Sequence, residues 1–146
     1  MNQNDPLLLA ELRRDEGVRN MPYRDSKGIW TVGVGHNMEA SALPATWACP
    51  LSDAQVDQLL SDDIMHVLSG LDRYFGWWRN MSYARQRAIV NFVFNVGIGT
   101  ARQFTTSMGH IERGEYAAAA DSMLANKWAV QVGDRSKRIT GMIRDG

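Results

Sequence analysis

One stretch of this chain is written in strand-forming residues, and it lies between helices. From residue 18 to 36 the sequence carries Tyr23, Ile29, Trp30, Thr31, Val32 and Val34, broken by Asp25-Ser26-Lys27-Gly28. β-Branched and aromatic side chains suit a pleated surface, and Asp, Ser and Gly suit tight turns. The pattern predicts a hairpin with strands near 18–24 and 29–34, and a short third strand after His36. So small a sheet is not stable alone in water and must lean on helices. The expected fold class is therefore α+β, with a small β-hairpin lobe and a larger helical lobe joined by a long helix.

The flanking sequence supplies those helices. Asp5 is a suitable N-cap, Pro6 suits the first turn, Leu8, Leu9 and Leu12 recur at helical spacing, and Gly17 is a stop, which predicts a helix over 6–16. Glu16 then sits in the last turn, where the helix dipole disfavours a carboxylate. A local rule broken in this way points to function. Residues 37–50, with Pro44 and Pro50, read as an irregular connection. Ser52-Asp53-Ala54-Gln55 fits a capping box and opens the linking helix, about 52–71, with Val56, Leu59, Leu60, Ile64, Val67, Leu68 and Leu71 on one face. Ser82 caps a helix running to about Val96, whose Ala88–Phe94 stretch is apolar nearly all round and so belongs in a core. Shorter helices are predicted near 100–104, 106–112, 115–125 and 134–143, separated by Gly109, Gly114 and Gly133. This gives one domain over 1–146. Its small lobe spans about 17–51, and its helical lobe spans about 72–146 together with the N-terminal helix.

Composition narrows the function classes. With 146 residues, 45% hydrophobic and 22% charged, the chain builds an ordinary core and is neither disordered nor fibrous. Its single cysteine, Cys49, excludes an internal disulfide, and the scattered His36, His66 and His110 form no metal-ligand spacing, so neither a metal nor a cofactor is expected. No run of eighteen apolar residues predicts a membrane span, and MNQNDPLLLAELRRDE lacks the pattern of a signal peptide. Residues 1–73 hold eleven acids and six bases, whereas 74–146 hold five acids and ten bases. The basic C-terminal stretch, Lys127, Arg135, Lys137, Arg138 and Arg144, carries no groove-reading motif, which speaks against nucleic acid as a partner.

The candidate chemistry lies near the N-terminus. Glu16 ends a helix, Asp25 sits in the hairpin turn and Thr31 starts the returning strand, so three polar groups on three elements can converge on one cleft. Two carboxylates are the minimum kit for glycoside hydrolysis: one protonates the departing oxygen, the other activates water or supports the cation. Spacing alone leaves a second reading open, in which both acids are solvated and Asp25 only shapes its turn.

Asp15-Glu16-Gly17-Val18-Arg19, Tyr23-Arg24-Asp25-Ser26-Lys27-Gly28 and Thr31-Val32-Gly33-Val34-Gly35-His36 strongly resemble the phage lysozymes of the T-even type, the muramidase endolysins of glycoside hydrolase family twenty-four. Arg87–Gly97, Phe104–Ser107, Lys127-Trp128 and Gln131 with Arg135–Arg138 extend the resemblance over nearly the whole chain. It implies cleavage of the β-1,4 bond between N-acetylmuramic acid and N-acetylglucosamine in peptidoglycan, with inversion. Glu16 falls on the general acid, Asp25 on the base or cation stabiliser, and Thr31 on the holder of water. Inversion implies carboxyl groups about 6.5–9.5 Å apart. The resemblance assigns Phe94 and Ser107 to the sugar cleft, and Asn37 and Ser122 to two further cleft positions where the residue type differs. Arg135 matches an arginine that reaches the glutamate, and Asp63 an aspartate that pairs with His36 in a contact expected to weaken on acidification. The implied partner is the peptidoglycan glycan strand, without nucleic acid or stable membrane insertion. The implied protein is a monomer held in the host cytoplasm until holin-type release to the wall.

Two further features have plainer readings. Gly33 and Gly35 in Val32-Gly33-Val34-Gly35 lack a nucleotide-loop context and are read as close packing of the strand against the cleft, leaving room for substrate. Trp77 and Trp78 are read as core or lobe junction. The competing functions are a lytic transglycosylase, which needs one glutamate and no water, and a catalytically silent peptidoglycan-binding module.

Overall fold

The computed structural model describes residues 1–146 and has the expected α+β character, with eight α-helices and one three-stranded antiparallel sheet. Residues 3–65 form one compact unit, and residues 66–146 with Met1 and Asn2 form a second.

In the first unit, α1 (Pro6–Glu16) begins where Asp5 Oδ1 accepts from Leu8 N at 2.9 Å and ends at Gly17, whose φ of 74° suits glycine. Leu8 and Leu12, one turn apart, are completely buried. Strands β1 (Arg19–Arg24), β2 (Trp30–Gly33) and β3 (His36–Asn37) form the sheet in the order β1-β2-β3. Tyr23 lies opposite Thr31, Arg24 opposite Trp30 and Arg19 opposite Gly33, with a register shift between Arg19 and Tyr23. Pro22, which has no N–H for the ladder, falls inside that irregular stretch. Nearby, Asn20 Nδ2 donates to the Leu51 carbonyl at 2.7 Å, and Leu51 N donates to the Asn20 carbonyl at 2.8 Å. These bonds tie the end of the irregular connection to β1.

The capping box forms as expected: Gln55 N donates to Ser52 Oγ at 3.1 Å and Ser52 N to Gln55 Oε1 at 2.9 Å. Helix α2 (Asp53–Tyr74) follows, ending three residues later than its periodicity predicts. His36, buried on β3, is held from both sides: Nδ1 lies 2.7 Å from Asp63 Oδ2 on α2, and Nε2 lies 2.7 Å from the Ser41 carbonyl. Both partners are acceptors, so both ring nitrogens donate and the ring is an imidazolium. Burial alone would lower its pKa, but the Asp63 hydrogen bond and charge, with the Ser41 carbonyl, outweigh burial and raise it. The pairing matches expectation. Because the raised pKa is that of the histidine, the contact also weakens as pH rises through the folded-state value.

The second unit is helical: a 3₁₀ turn (Trp78–Asn80), then α3 (Tyr83–Val96), α4 (Ile98–Gln103), α5 (Thr105–Glu112), α6 (Tyr116–Leu124), α7 (Lys127–Val132) and α8 (Asp134–Asp145). Ser82 Oγ accepts from Arg85 N and caps α3, whose Ala88–Val93 stretch is buried as its composition predicts. Helix α8 packs on α3 and α6. Phe92, Phe104 and Trp128 meet edge to face, with the Phe92 ring 4.9 Å from Phe104 and 5.0 Å from Trp128. Trp78 is fully buried with its Nε1 donating to Asp72 Oδ1 at 2.7 Å, a core role as expected. Helix α7 is absent from the periodicity reading. Its start is set by Asn126, whose Oδ1 accepts from Trp128 N at 3.0 Å, and its end by Gly133 at φ 60°. With six residues it is too short to display a helical period.

Candidate active site

The unit of residues 3–65 carries Glu16, Asp25, Thr31 and Asn37. Glu16, half-buried, closes α1, and its carboxylate lies over Gly35. A Cβ built on Gly35 would come within 2.4 Å of Glu16 Oε2, and Gly35 also has a φ of +64°. The space left by this glycine is therefore taken by Glu16, not kept for substrate. Gly33 likewise faces Leu59 and Val56 of α2, at 3.6 and 3.8 Å from an added Cβ. Both glycines serve close packing, as expected, Gly35 admitting the Glu16 carboxylate and Gly33 the side chains of α2.

Asp25 shapes its turn and is oriented by it. Its Oδ1 accepts from Lys27 N at 2.8 Å and from Ile29 N at 2.9 Å. Two backbone donors on one oxygen fix the plane of the carboxylate. Thr31 is buried, and its Oγ1 donates to the Ile29 carbonyl at 2.9 Å. With its proton committed, the hydroxyl can only accept from a further partner. Asn37 is exposed, and its Oδ1 accepts from Glu39 N and Ala40 N, both at 2.9 Å, which shapes the turn after β3.

Tyr23 is the residue that sequence reasoning passed over. It lies opposite Thr31 in the register, is half-buried, and carries the Arg19 guanidinium over its ring at 4.3 Å. Burial raises its pKa, and the charges of Glu16 and Asp25 push it further in the same direction against the opposing Arg19. The phenol thus stands within electrostatic reach of both carboxylates. The signal for it was present in the predicted hairpin, where a residue opposite Thr31 and two before Asp25 shares their face.

The other unit carries Phe94, Ser107, Ser122 and Arg135. Ser107 Oγ lies 2.7 Å from Ser122 Oγ, with Ser107 buried and Ser122 half-buried. Phe94, on α3, is half-buried. Arg135 is buried and donates through Nε at 3.0 Å and Nη2 at 2.8 Å to Asn91 Oδ1.

No helix is long and apolar enough to cross a membrane. Residues 13–145 match the family model described as phage lysozyme. Among curated relatives, a probable T4-type lysozyme of Dictyostelium discoideum is 24% identical over 92% of each chain. The pre-baseplate central spike protein Gp5 of Enterobacteria phage T4 is 25% identical over 99% of this chain and 29% of its own length. An SAR-endolysin of Escherichia phage Mu is 31% identical over 84% of this chain and 66% of its own.

Proposed function

Because the chain belongs to the phage lysozyme family, a family of glycoside hydrolases, we propose that it is an endolysin-type muramidase that hydrolyses peptidoglycan at the β-1,4 bond between N-acetylmuramic acid and N-acetylglucosamine, with inversion. The single observation that carries this reading is the grouping of Glu16, Asp25 and Thr31 in one unit with their side chains fixed by local structure. Glu16 donates its proton to the departing sugar oxygen as the glycosidic bond breaks. Asp25 takes a proton from the attacking water, which bonds to the anomeric carbon from the opposite face. With Oδ1 of Asp25 engaged by backbone N–H groups, the other oxygen is assigned to the water.

Thr31 sets the orientation of that water. Its own proton is on the Ile29 carbonyl, so the water must donate to Thr31 Oγ1. One water hydrogen on Thr31 and the other on Asp25 leave an oxygen lone pair for the sugar. On the family resemblance alone, Asn37, Phe94, Ser107, Ser122 and Arg135 are assigned to glycan binding. We assign the protein's action to the cell wall after release from the host cytoplasm, as a monomer and without a cofactor.

Product analysis of purified peptidoglycan tests the reading. Hydrolysis gives new reducing-end N-acetylmuramic acid, formed first as the inverted anomer. Anhydro ends would establish a lytic transglycosylase instead, and binding without new ends would establish a silent wall-binding module.

A further inference from the structure

Arg24 and Trp30 lie on the same hairpin as Asp25 and Thr31 and take no part in the mechanism above. They are directly opposed in the β1–β2 register, so they share one face of the sheet. Successive strand residues alternate in direction, which puts this pair on the face opposite to Tyr23 and Thr31. Trp30 is 43% exposed, yet it is held in place. Its N–H donates to Glu39 Oε2 at 2.7 Å, and its carbonyl accepts from Met38 N at 2.9 Å. The Arg24 guanidinium stands over the indole, 4.9 Å from the ring centre, and is itself exposed and in no ion pair. The pair thus offers a fixed apolar ring beside a cation that no carboxylate neutralises.

We propose that Arg24 and Trp30 form an accessory binding site for an N-acetylmuramic acid unit of the peptidoglycan strand, the indole taking the apolar C–H face of the sugar and the guanidinium a carboxylate of the peptide stem. This rests on the muramidase reading above. A β-linked pyranose carries its hydroxyls around the rim and C–H groups on its faces, which matches a flat apolar ring that keeps a polar edge. The fork of an arginine matches a carboxylate. Trp30 adjoins Thr31 and Arg24 adjoins Asp25 in sequence, so a strand engaged on the catalytic face has further units within reach of the other face. Two contacts on one polymer raise its retention without touching the chemical step, so the site acts on KM and not on kcat.

Co-sedimentation with purified insoluble peptidoglycan, in the Glu16→Gln background that leaves the polymer intact, tests this. Trp30→Ala is expected to weaken binding by about fivefold or more, and Trp30→Phe, which keeps a flat ring, by less. Arg24→Gln is expected to weaken binding to peptidoglycan that bears its stems and not to glycan strands stripped of peptides by an amidase. In the active enzyme Trp30→Ala raises KM for the polymer at parental kcat. The indole N–H resonance of Trp30 shifts when soluble stem-bearing glycan fragments are added, a readout that needs no substitution at the site and decides the matter even where a variant fails to fold. A folded Trp30→Ala protein with parental binding, or an indole resonance that does not move, overturns the inference. Equal losses for Arg24→Gln on both polymers overturn the part given to the stem carboxylate. A parent that binds the wall but releases no reducing ends fails the muramidase reading alone, and the binding measurements still decide this one. A parent that does not bind at all overturns both.

Discussion

The carboxylate of Glu16 occupies the place where a side chain on Gly35 would lie, with Oε2 2.4 Å from a Cβ built there. The end of α1 and the turn between β2 and β3 are thereby fitted to each other. Position 35 must be glycine for two independent reasons, the positive φ and the glutamate.

Gly35→Ala is accordingly expected to displace Glu16 and to cut activity by about tenfold or more, since an error of 1 Å in placing a catalytic group has effects of this size. The left-handed backbone adds a stability cost of about 1–2 kcal/mol. Peptidoglycan turnover and the melting temperature of the same preparation check both parts.

Thr31→Val removes the oxygen that receives the water while keeping the branched shape of a strand residue. Activity is expected to fall by about a hundredfold, the lower end of what positioned acid–base groups contribute. Thr31→Ser keeps an oxygen that bonds the Ile29 carbonyl and should restore most of the rate. Equal losses in the two variants would remove Thr31 from the handling of water.

The His36–Asp63 contact makes stability depend on pH in a defined direction. The folded-state pKa of His36 is raised, so its contribution is fully present below the unfolded value of about 6.5 and is lost as pH rises through the folded value. The stability difference between the parent and Asp63→Asn should therefore be larger at pH 6 than at pH 9. A charge-assisted bond of this kind contributes about 1.5–3 kcal/mol. Urea unfolding at the two pH values measures it, and a difference that grows toward alkaline pH would contradict the assignment of an imidazolium.

Asn91 holds a buried guanidinium by two hydrogen bonds to one oxygen. Asn91→Ala should cost about 2 kcal/mol, because Arg135 loses a buried acceptor. Equilibrium unfolding reads this directly.

The sequence carried local structure more clearly than function. Asp5, Ser52 and Ser82 cap α1, α2 and α3 where their residue types demand it, because capping is a contact over three residues. The hairpin follows from its composition, although the register shift around Pro22 depends on tertiary partners of β1 such as Leu51. Helix α7 has too few residues to show a period, and only its cap at Asn126 marks it. The catalytic candidates were found by resemblance, since two acids and a threonine at intervals of nine and six residues are consistent with plain surface positions. The fit of Glu16 to Gly35 is not legible in the sequence, because it depends on where the chain folds back on itself.

The most direct test of the account is the rate of reducing-end release from purified peptidoglycan by the parent and by Glu16→Gln, with folding checked by the melting temperature. The glutamine keeps the shape of the side chain and removes its transferable proton. The account predicts a parent that hydrolyses the glycan and a folded Glu16→Gln enzyme that is slower by about a hundredfold or more, as expected for loss of a general acid. A folded Glu16→Gln protein that releases reducing ends at the parental rate would contradict it.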